Sequence, residues 1–476
     1  LTPEPIFLGR VCTRIFGCIL RCLFCIVRAR LQCAVVTKPS QNQSSNNVQP
    51  NPGEAARAAR GVPTPAADFP VVAVVGDGQL ARMMAPAASE LGQSLRVLAG
   101  KPDSSAAQVT SDVFVGDYRN LDDLRSVAHG VDVITFDHEH VPLEHLRTLQ
   151  AEGVNIQPGP DALENAQDKL VMRRNLEKLG VPVPAFAPIT DAKTARAFWD
   201  EHDGKVCLKA CRGGYDGKGV WFPESVEHLE ALVDELLDEA VELLAETKVD
   251  FVGELSAMVA RTPSGRLQTW PVVESVQSGG VCAEAVAPAP GISETLRRQA
   301  EQLAVTVAEK LDVTGVLAVE LFYYRDATGA EQLSVNELAM RPHNTGHWSQ
   351  DGCVTSQFEQ HLRAVMDYPL GATEPTAAVT VMANVLGGES DPEMPMRERV
   401  RAVWQRFPQA KVHLYGKDYR PGRKMGHVNI SGAVASPGDA ADATPGEAAD
   451  VAEVRRQAQL AANFVVNARW DDGYTG

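Results

Sequence analysis

No part of this 476-residue chain offers the run of about 18 apolar residues that a membrane-spanning helix needs. The nearest approach, residues 6–36, is broken by Arg10, Arg14, Arg21, Arg28 and Arg30. The same arginines run through the apolar part, and no clean cleavage site follows, which argues against an export signal. Positive charge is in deficit: 45 Lys and Arg face 61 Asp and Glu, a net charge of −16. Indiscriminate binding to nucleic acid or anionic membranes is disfavoured, although a local basic pocket is not. Cysteine is thin where the fold should lie. Five of the nine (Cys12, Cys18, Cys22, Cys25 and Cys33) sit near the start, and only Cys207, Cys211, Cys282 and Cys353 follow. The main body therefore reads as a reduced, cytoplasmic protein. Cys22 and Cys25 form a C-x-x-C pair, but no second pair completes a zinc site. No internal repeat is visible.

What is present is an ordinary globular composition, 44% hydrophobic and 22% charged, long enough for roughly three domains and a core without covalent staples. Residues 1–68 are expected to be a disordered or spurious N-terminal extension, with 38–68 rich in Pro, Asn, Gln, Ser and Ala. An N-terminal doubly wound, Rossmann-like domain is expected over 69–158. Pro70–Val75 reads as a buried strand ending in the turn Gly76-Asp-Gly78, then a helix over 79–91 containing Pro86, strands Ser94–Ala99 and Val131–Phe136, and helix Leu121–His129 between them. That alternation implies a parallel sheet. A second domain is expected over 159–378. Asp161 and Glu164 have capping-box spacing, Leu163, Leu170 and Leu179 share a helical face, and Gly180 with Pro182 ends the helix. Strand Lys205–Ala210, a glycine loop and Val220–Phe222 follow. Ser293 caps a helix with the stripe Leu296, Ala300, Leu303, Val307 and Leu311. Val316–Tyr324 and Gln332–Leu338 should pair as a hairpin. A small β-rich third domain is expected over 379–476, opening with Val379–Leu386, with a loop over 436–450.

Four segments carry chemistry. Arg212-Gly-Gly-Tyr-Asp-Gly-Lys-Gly219 has four glycines in eight residues, so backbone N–H groups can approach phosphate oxygens. Lys209 and Lys218 add charge. It is not a P-loop, because the Lys-Ser/Thr ending is missing; a strand–loop–strand lid over phosphates fits better than a plain hairpin turn. Glu320 and Glu337 lie in otherwise apolar strands, where a carboxylate is costly unless paired or metal-bound. Two acids on neighbouring strands suit Mg²⁺, against the alternative of a salt bridge such as Glu337 to Arg341. For Asn336 to share the site with Glu337, a bulge or strand end is needed. Arg341-Pro-His-Asn-Thr-Gly-His347 supplies a bidentate cation with His343 and Asn344; His343 and His347 have zinc-helix spacing, but Asn-Thr-Gly is poor helix. Lys417-Asp-Tyr-Arg-Pro-Gly-Arg-Lys424 places four cations in eight residues, an anion site if not a solvated turn.

Together these segments resemble the N5-carboxyaminoimidazole ribonucleotide synthase family of the ATP-grasp superfamily. The resemblance rests on Gly76-Asp-Gly-Gln-Leu-Ala-Arg-Met83, Thr135-Phe-Asp-His-Glu-His-Val141, Arg212–Gly219, Gly253-Glu-Leu-Ser256, Asn336-Glu-Leu-Ala339, Arg341–Trp348 and Arg420-Pro-Gly-Arg-Lys-Met-Gly-His427. It implies an α/β and α+β ATP-grasp fold in three domains, a cytoplasmic homodimer, and carboxylation of 5-aminoimidazole ribonucleotide with ATP and bicarbonate through carboxyphosphate. ATP would touch Lys169, Lys209, Gly213, Gly214, Tyr215, Asp216, Gly217, Lys218, Gly219, Glu246, Val249, Glu254, Asn336 and Glu337. Glu320 and Glu337 would hold magnesium, or manganese. Arg341, His343, Asn344 and Asp216 would act on the carboxyl donor. Gln79, Glu139, Tyr215, Asp216, Lys417, Arg423 and Lys424 would hold the ribonucleotide. Four positions depart from the family pattern: Ala81 for Gly, Asp137 for Glu, Thr345 for Ser and Met340 for Pro. The alternatives are another ATP-grasp ligase, such as formate-dependent glycinamide ribonucleotide transformylase, an NAD-dependent oxidoreductase suggested by the Gly76 turn, and a non-catalytic nucleotide-binding protein. The oxidoreductase fingerprint needs an acid closing the second strand; Gly100-Lys101 stands there instead.

Overall fold

The computed structural model describes residues 69–214, 218–432 and 446–475. The expectations for residues 1–68 and the site assignments of Tyr215, Asp216 and Gly217 lie outside them. The first sheet holds β1 (Val71–Val75), β2 (Ser94–Ala99), β3 (Asp112–Val115) and β4 (Val133–Phe136), all parallel in the order β3-β2-β1-β4. All five residues of β1 are buried, as a parallel strand covered on both faces requires. The turn after β1 is shaped by Asp137, which accepts from Gly78 N at 2.6 Å and Ala81 N at 2.9 Å. A Cβ on Gly78 would strike that carboxylate at 2.5 Å. The helix Gln79–Glu90 starts on this anchor and runs through Pro86 without breaking.

The expected single helix after Gly159 is two: Pro160–Gln167 and Lys169–Lys178. Asp161 is not a cap, because the first helix begins on Gly159 with Pro160 in its first turn, and Asp161 instead meets Arg147 at 3.0 Å. Asp168 makes the break, its side chain accepting from Leu170 N and Val171 N. Leu163 is buried, but Leu170 and Leu179 are only half-buried; Met172 and Leu176 take the core face of the second helix.

A second sheet, β5 (Phe186–Ile189), β6 (Val206–Ala210), β7 (Val220–Trp221) and β8 (Leu243–Thr247), is ordered β5-β8-β6-β7 and antiparallel. Helices Ala192–Glu201 and Val226–Asp238 pack on it through Phe198, Leu229 and Val233. The third sheet takes β9 (Gly253–Arg261), β10 (Leu267–Thr269), β11 (Val273–Ser278), β12 (Val281–Ala287), β13 (Gly315–Arg325), β14 (Glu331–Ala339), β15 (Thr380–Leu386), β16 (Lys411–Leu414) and β17 (Lys424–Ser431). Its order is β14-β13-β9-β11-β12-β15-β17-β16, with β10 beside β9. The strand expected to open a third domain, β15, thus pairs directly with β12. Ser293 caps helix Glu294–Lys310 as expected, and Leu296, Ala300 and Val307 lie on its buried face. The loop expected over 436–450 is overturned at its end: a helix runs Gly446–Asn467, and an Ala- and Glu-rich segment is good helix former despite its turn-like neighbours. Among the described residues no helix is long and apolar enough to cross a membrane.

Candidate active site

The acidic strands meet as the sequence required. Glu320 on β13 sits opposite Glu337 on β14, and the register then slips, pairing Leu321 with Val335. Asn336 is the extra residue. This bulge lets Val335 enter the core while Glu337 faces Glu320, and it frees the Asn336 side chain to accept from Lys209 Nζ at 3.3 Å. Glu337 is not paired with Arg341. Its carboxylate takes the Lys169 ammonium, presented by the first residue of helix Lys169–Lys178. Glu254 on β9 faces the same side, opposite Phe322 and two residues from Ser256, the partner of Glu320. Burial and the charge of Glu320 push the Glu254 carboxyl up to about 7.

Beneath lies a buried ion cluster. Glu246 accepts from Arg173 Nε at 2.7 Å and Lys209 Nζ at 2.8 Å. Burial opposes its ionisation, but Lys209 and Arg173 prevail and hold it at about 2. Arg173 also donates to Asn336 O at 2.7 Å, so one guanidinium ties helix, β8 and bulge together. Arg173 and Asp168 were not singled out in the sequence; their one signal is that they lie at and just inside the start of the helix that Lys169 opens. Asp168 pairs with Arg212 at 2.9 Å, and Lys169 N donates to Cys211 O. The glycine segment is the tip of the β6–β7 hairpin, with Gly213 and Gly219 at φ +77° and +71°. A Cβ on Gly214 would meet Lys218 O at 2.8 Å. Lys218 flanks this turn, and Val249 is half-buried on the segment linking β8 to β9.

The Arg341–His347 segment leaves β14 and closes on the acids. His343 Nε2 lies 3.0 Å from Glu320 Oε1. Desolvation works against the charged carboxylate, yet the His343 hydrogen bond, aided by Lys169 and Lys424, keeps Glu320 below its usual range. His343 Nδ1 meets Thr345 Oγ1 at 2.9 Å, and that hydroxyl donates to Ser256 Oγ at 2.8 Å. Arg341 Nε donates to Glu139 at 2.7 Å; against the opposing effect of burial, Glu139 raises the guanidinium pKa further. The Asn344 amide nitrogen is buried without a protein partner. Asn344–Gly346 forms a single 3₁₀ turn. His347 does not share a ligand point with His343: it is fully buried with Nδ1 on Gln357.

The last cluster approaches from the loop between β16 and β17. Lys417 Nζ donates to Gln79, so the first residue of the Gly76 helix and the basic loop converge. Burial, with Arg423 and Lys424 nearby, pushes Lys417 down to about 8. Arg423 is half-buried and donates to Asp418 O at 2.8 Å. Glu139 is brought to Arg341, not into direct contact with these cations.

Comparison with known proteins gives this geometry a family. The ribonucleotide synthetase preATP-grasp domain matches residues 70–167, the ATP-grasp domain 174–358, and the phosphoribosylaminoimidazole carboxylase C-terminal domain 380–436. The chain is 58% identical over 407 residues to N5-carboxyaminoimidazole ribonucleotide synthase of Corynebacterium ammoniagenes, covering 86% of this chain and 94% of that one. It is 50% identical to the enzyme of the same name from Mycobacterium tuberculosis, covering 85% and 90%. N5-carboxyaminoimidazole synthase of Aspergillus clavatus, solved with ADP and 5-aminoimidazole ribonucleotide, superposes with a TM-score of 0.72 at 27% identity over 84% of this chain and 100% of that one. The chain belongs to the N5-carboxyaminoimidazole ribonucleotide synthase family.

Proposed function

We propose that this protein carboxylates the amine of 5-aminoimidazole ribonucleotide with bicarbonate and ATP, giving N5-carboxyaminoimidazole ribonucleotide, ADP and phosphate in de novo purine synthesis. The observation that carries the reading is the 3.0 Å contact of His343 with Glu320. It seats an anion-binding segment, Arg341 to Asn344, directly against the acidic strand pair. ATP would occupy the space bounded by Lys169, Lys209, Gly213, Gly214, Lys218, Gly219, Glu246, Val249, Glu254 and Asn336, and Tyr215, Asp216 and Gly217 are assigned to the same site by the resemblance. Glu320 and Glu337 fit a magnesium ion, because Mg²⁺ binds through one or two carboxylates and completes its shell with phosphate and water oxygens. The register supports this: Glu320 and Glu337 stand directly opposite each other on β13 and β14, so both carboxylates lie on one face of the sheet. Bound there, magnesium would supply charge neutralisation at the phosphate oxygens.

Phosphoryl transfer asks the protein mainly for positioning and charge. Lys169 and Lys209 orient the phosphates. Bicarbonate oxygen attacks the γ-phosphorus, ADP leaves, and the resulting carboxyphosphate stays against Arg341, His343 and Asn344, with Asp216 assigned to the same step. The ribonucleotide amine then attacks the carboxyl carbon and phosphate departs. Gln79, Glu139, Tyr215, Asp216, Lys417, Arg423 and Lys424 would orient that substrate, the cations meeting its phosphate. The same reading takes the protein as a cytoplasmic homodimer with domain boundaries at 69–158, 159–378 and 379–476.

Bicarbonate labelled with ¹⁸O tests the order of events. One labelled oxygen in the released phosphate is expected; unlabelled phosphate at full turnover would exclude attack on the γ-phosphorus.

A further inference from the structure

We propose that Gln357 is a positioning residue for this reaction: its amide clamps the backbone of His343 and so sets the imidazole against Glu320. The inference rests on the role assigned to His343 above. Gln357 is fully buried as the first residue of helix Gln357–Val365, whose N-cap is Ser356. Its Oε1 accepts from His343 N at 2.8 Å, and its Nε2 donates to His343 O at 2.8 Å. Both backbone polar groups of His343 thus close on one side chain, as they would on a neighbouring strand, but where β14 has ended and no strand is available. Nε2 also lies 2.8 Å from His347 Nδ1.

These contacts fix more than position. With Oε1 committed to an N–H and one Nε2 hydrogen to a carbonyl, the amide has only a donor left for His347. His347 Nδ1 must therefore accept, which requires a ring without a proton on Nδ1. Burial first, then the cationic surroundings, hold the His347 pKa well below its usual value, in agreement. The amide cannot flip without opposing both His343 and His347. The backbone is shaped around it as well: a Cβ on Gly346 would overlap Gln357 Oε1 and Met258, and Ser349 Oγ holds Gln357 N at 2.9 Å while donating to Gly346 O at 2.6 Å. The clamp, the 3₁₀ turn and the helix start form one unit, and through it His343 is held against Glu320.

Two substitutions separate the bonds from the bulk. Gln357→Met keeps length and apolar volume and removes all three hydrogen bonds; Gln357→Glu keeps the acceptor for His343 N and loses both donors. Gln357→Met is expected to lower kcat for ribonucleotide-stimulated ADP release by about 10²-fold, the scale of a misplacement near 1 Å. KM for ATP should stay within about twofold, because the clamp touches no part of the ATP site, and Gln357→Glu should fall between Met and wild type. Wild-type kcat in Gln357→Met overturns the proposal. So does a loss that follows the unfolded fraction seen by circular dichroism, or one confined to KM for ATP. His343→Ala distinguishes the two levels. If it is inactive while both Gln357 variants are normal, the clamp alone is wrong; if it is fully active, the role of His343 itself falls.

Discussion

Glu337 shows how one side chain can be legible from sequence while its partner is not. A carboxylate in an apolar strand demands a cation, and the chain supplies one, but it is Lys169, 168 residues away, not nearby Arg341. Glu337→Gln removes one charge from a half-exposed position, so the fold should survive. ATP turnover should fall by about 10²-fold or more, the usual scale for losing a preorganised electrostatic contact. Near-normal turnover with an unchanged circular dichroism spectrum would remove Glu337 from the assigned site. Lys417 gives a pH prediction. Burial lowers its pKa to about 8, so it is charged below that pH and loses its proton as pH rises through it. KM for the ribonucleotide should climb at higher pH, by about tenfold if one charge-assisted hydrogen bond is lost, and Lys417→Met should flatten that rise. A rise of equal size in the variant would assign it to another group. Gln357 was invisible in the sequence because a glutamine at a helix start is ordinarily a solvated or capping residue; only the fold reveals that it faces a strand end.

Among elements, the β14 bulge was readable because Asn336 and Glu337 cannot share a face under strict alternation. The capping box was misread because Gly159 caps the helix two residues earlier, with Pro160 in its first turn, and Asp161 turns outward to Arg147. Arg173 could not be read at all: a cation on a helix is usually exposed, and its burial follows from β8 and β14 closing over it. The ion cluster it forms makes two predictions. Arg173→Leu leaves Glu246 and the Asn336 carbonyl short of a donor, and should destabilise the fold by about 3–5 kcal/mol in urea unfolding, as breaking a buried ion pair does; a loss under about 1 kcal/mol would mean that Lys209 alone satisfies Glu246. For Glu246 the folded pKa, about 2, lies below its usual 4.5. The stability it lends is therefore present above 4.5 and is lost as pH falls toward 2. Glu246→Gln should be less sensitive to acid across that window than wild type.

At the scale of the molecule, the parallel first sheet and the paired β13 and β14 follow from patterns local in the chain. What sequence could not reveal is that β15, β17 and β16 extend the same nine-stranded sheet as the acidic strands. Strand pairing between distant segments leaves no local trace. The division at residue 378 therefore crosses a continuous sheet: ending the chain there would bare the β12 edge and the apolar side chains that Val381, Ala383 and Val428 cover. The continuity also carries the basic loop Lys417–Lys424 to Gln79, joining the proposed ribonucleotide side of the site to the acidic strands.

The central claim is that a basic ribonucleotide site and an ATP site act as one. Its most direct test is ADP release by the purified protein with Mg²⁺-ATP and bicarbonate, with and without 5-aminoimidazole ribonucleotide. Strong stimulation by that ribonucleotide is the expected result. No stimulation by it, with activity instead on formate and glycinamide ribonucleotide, would contradict the account and leave only its ATP chemistry standing.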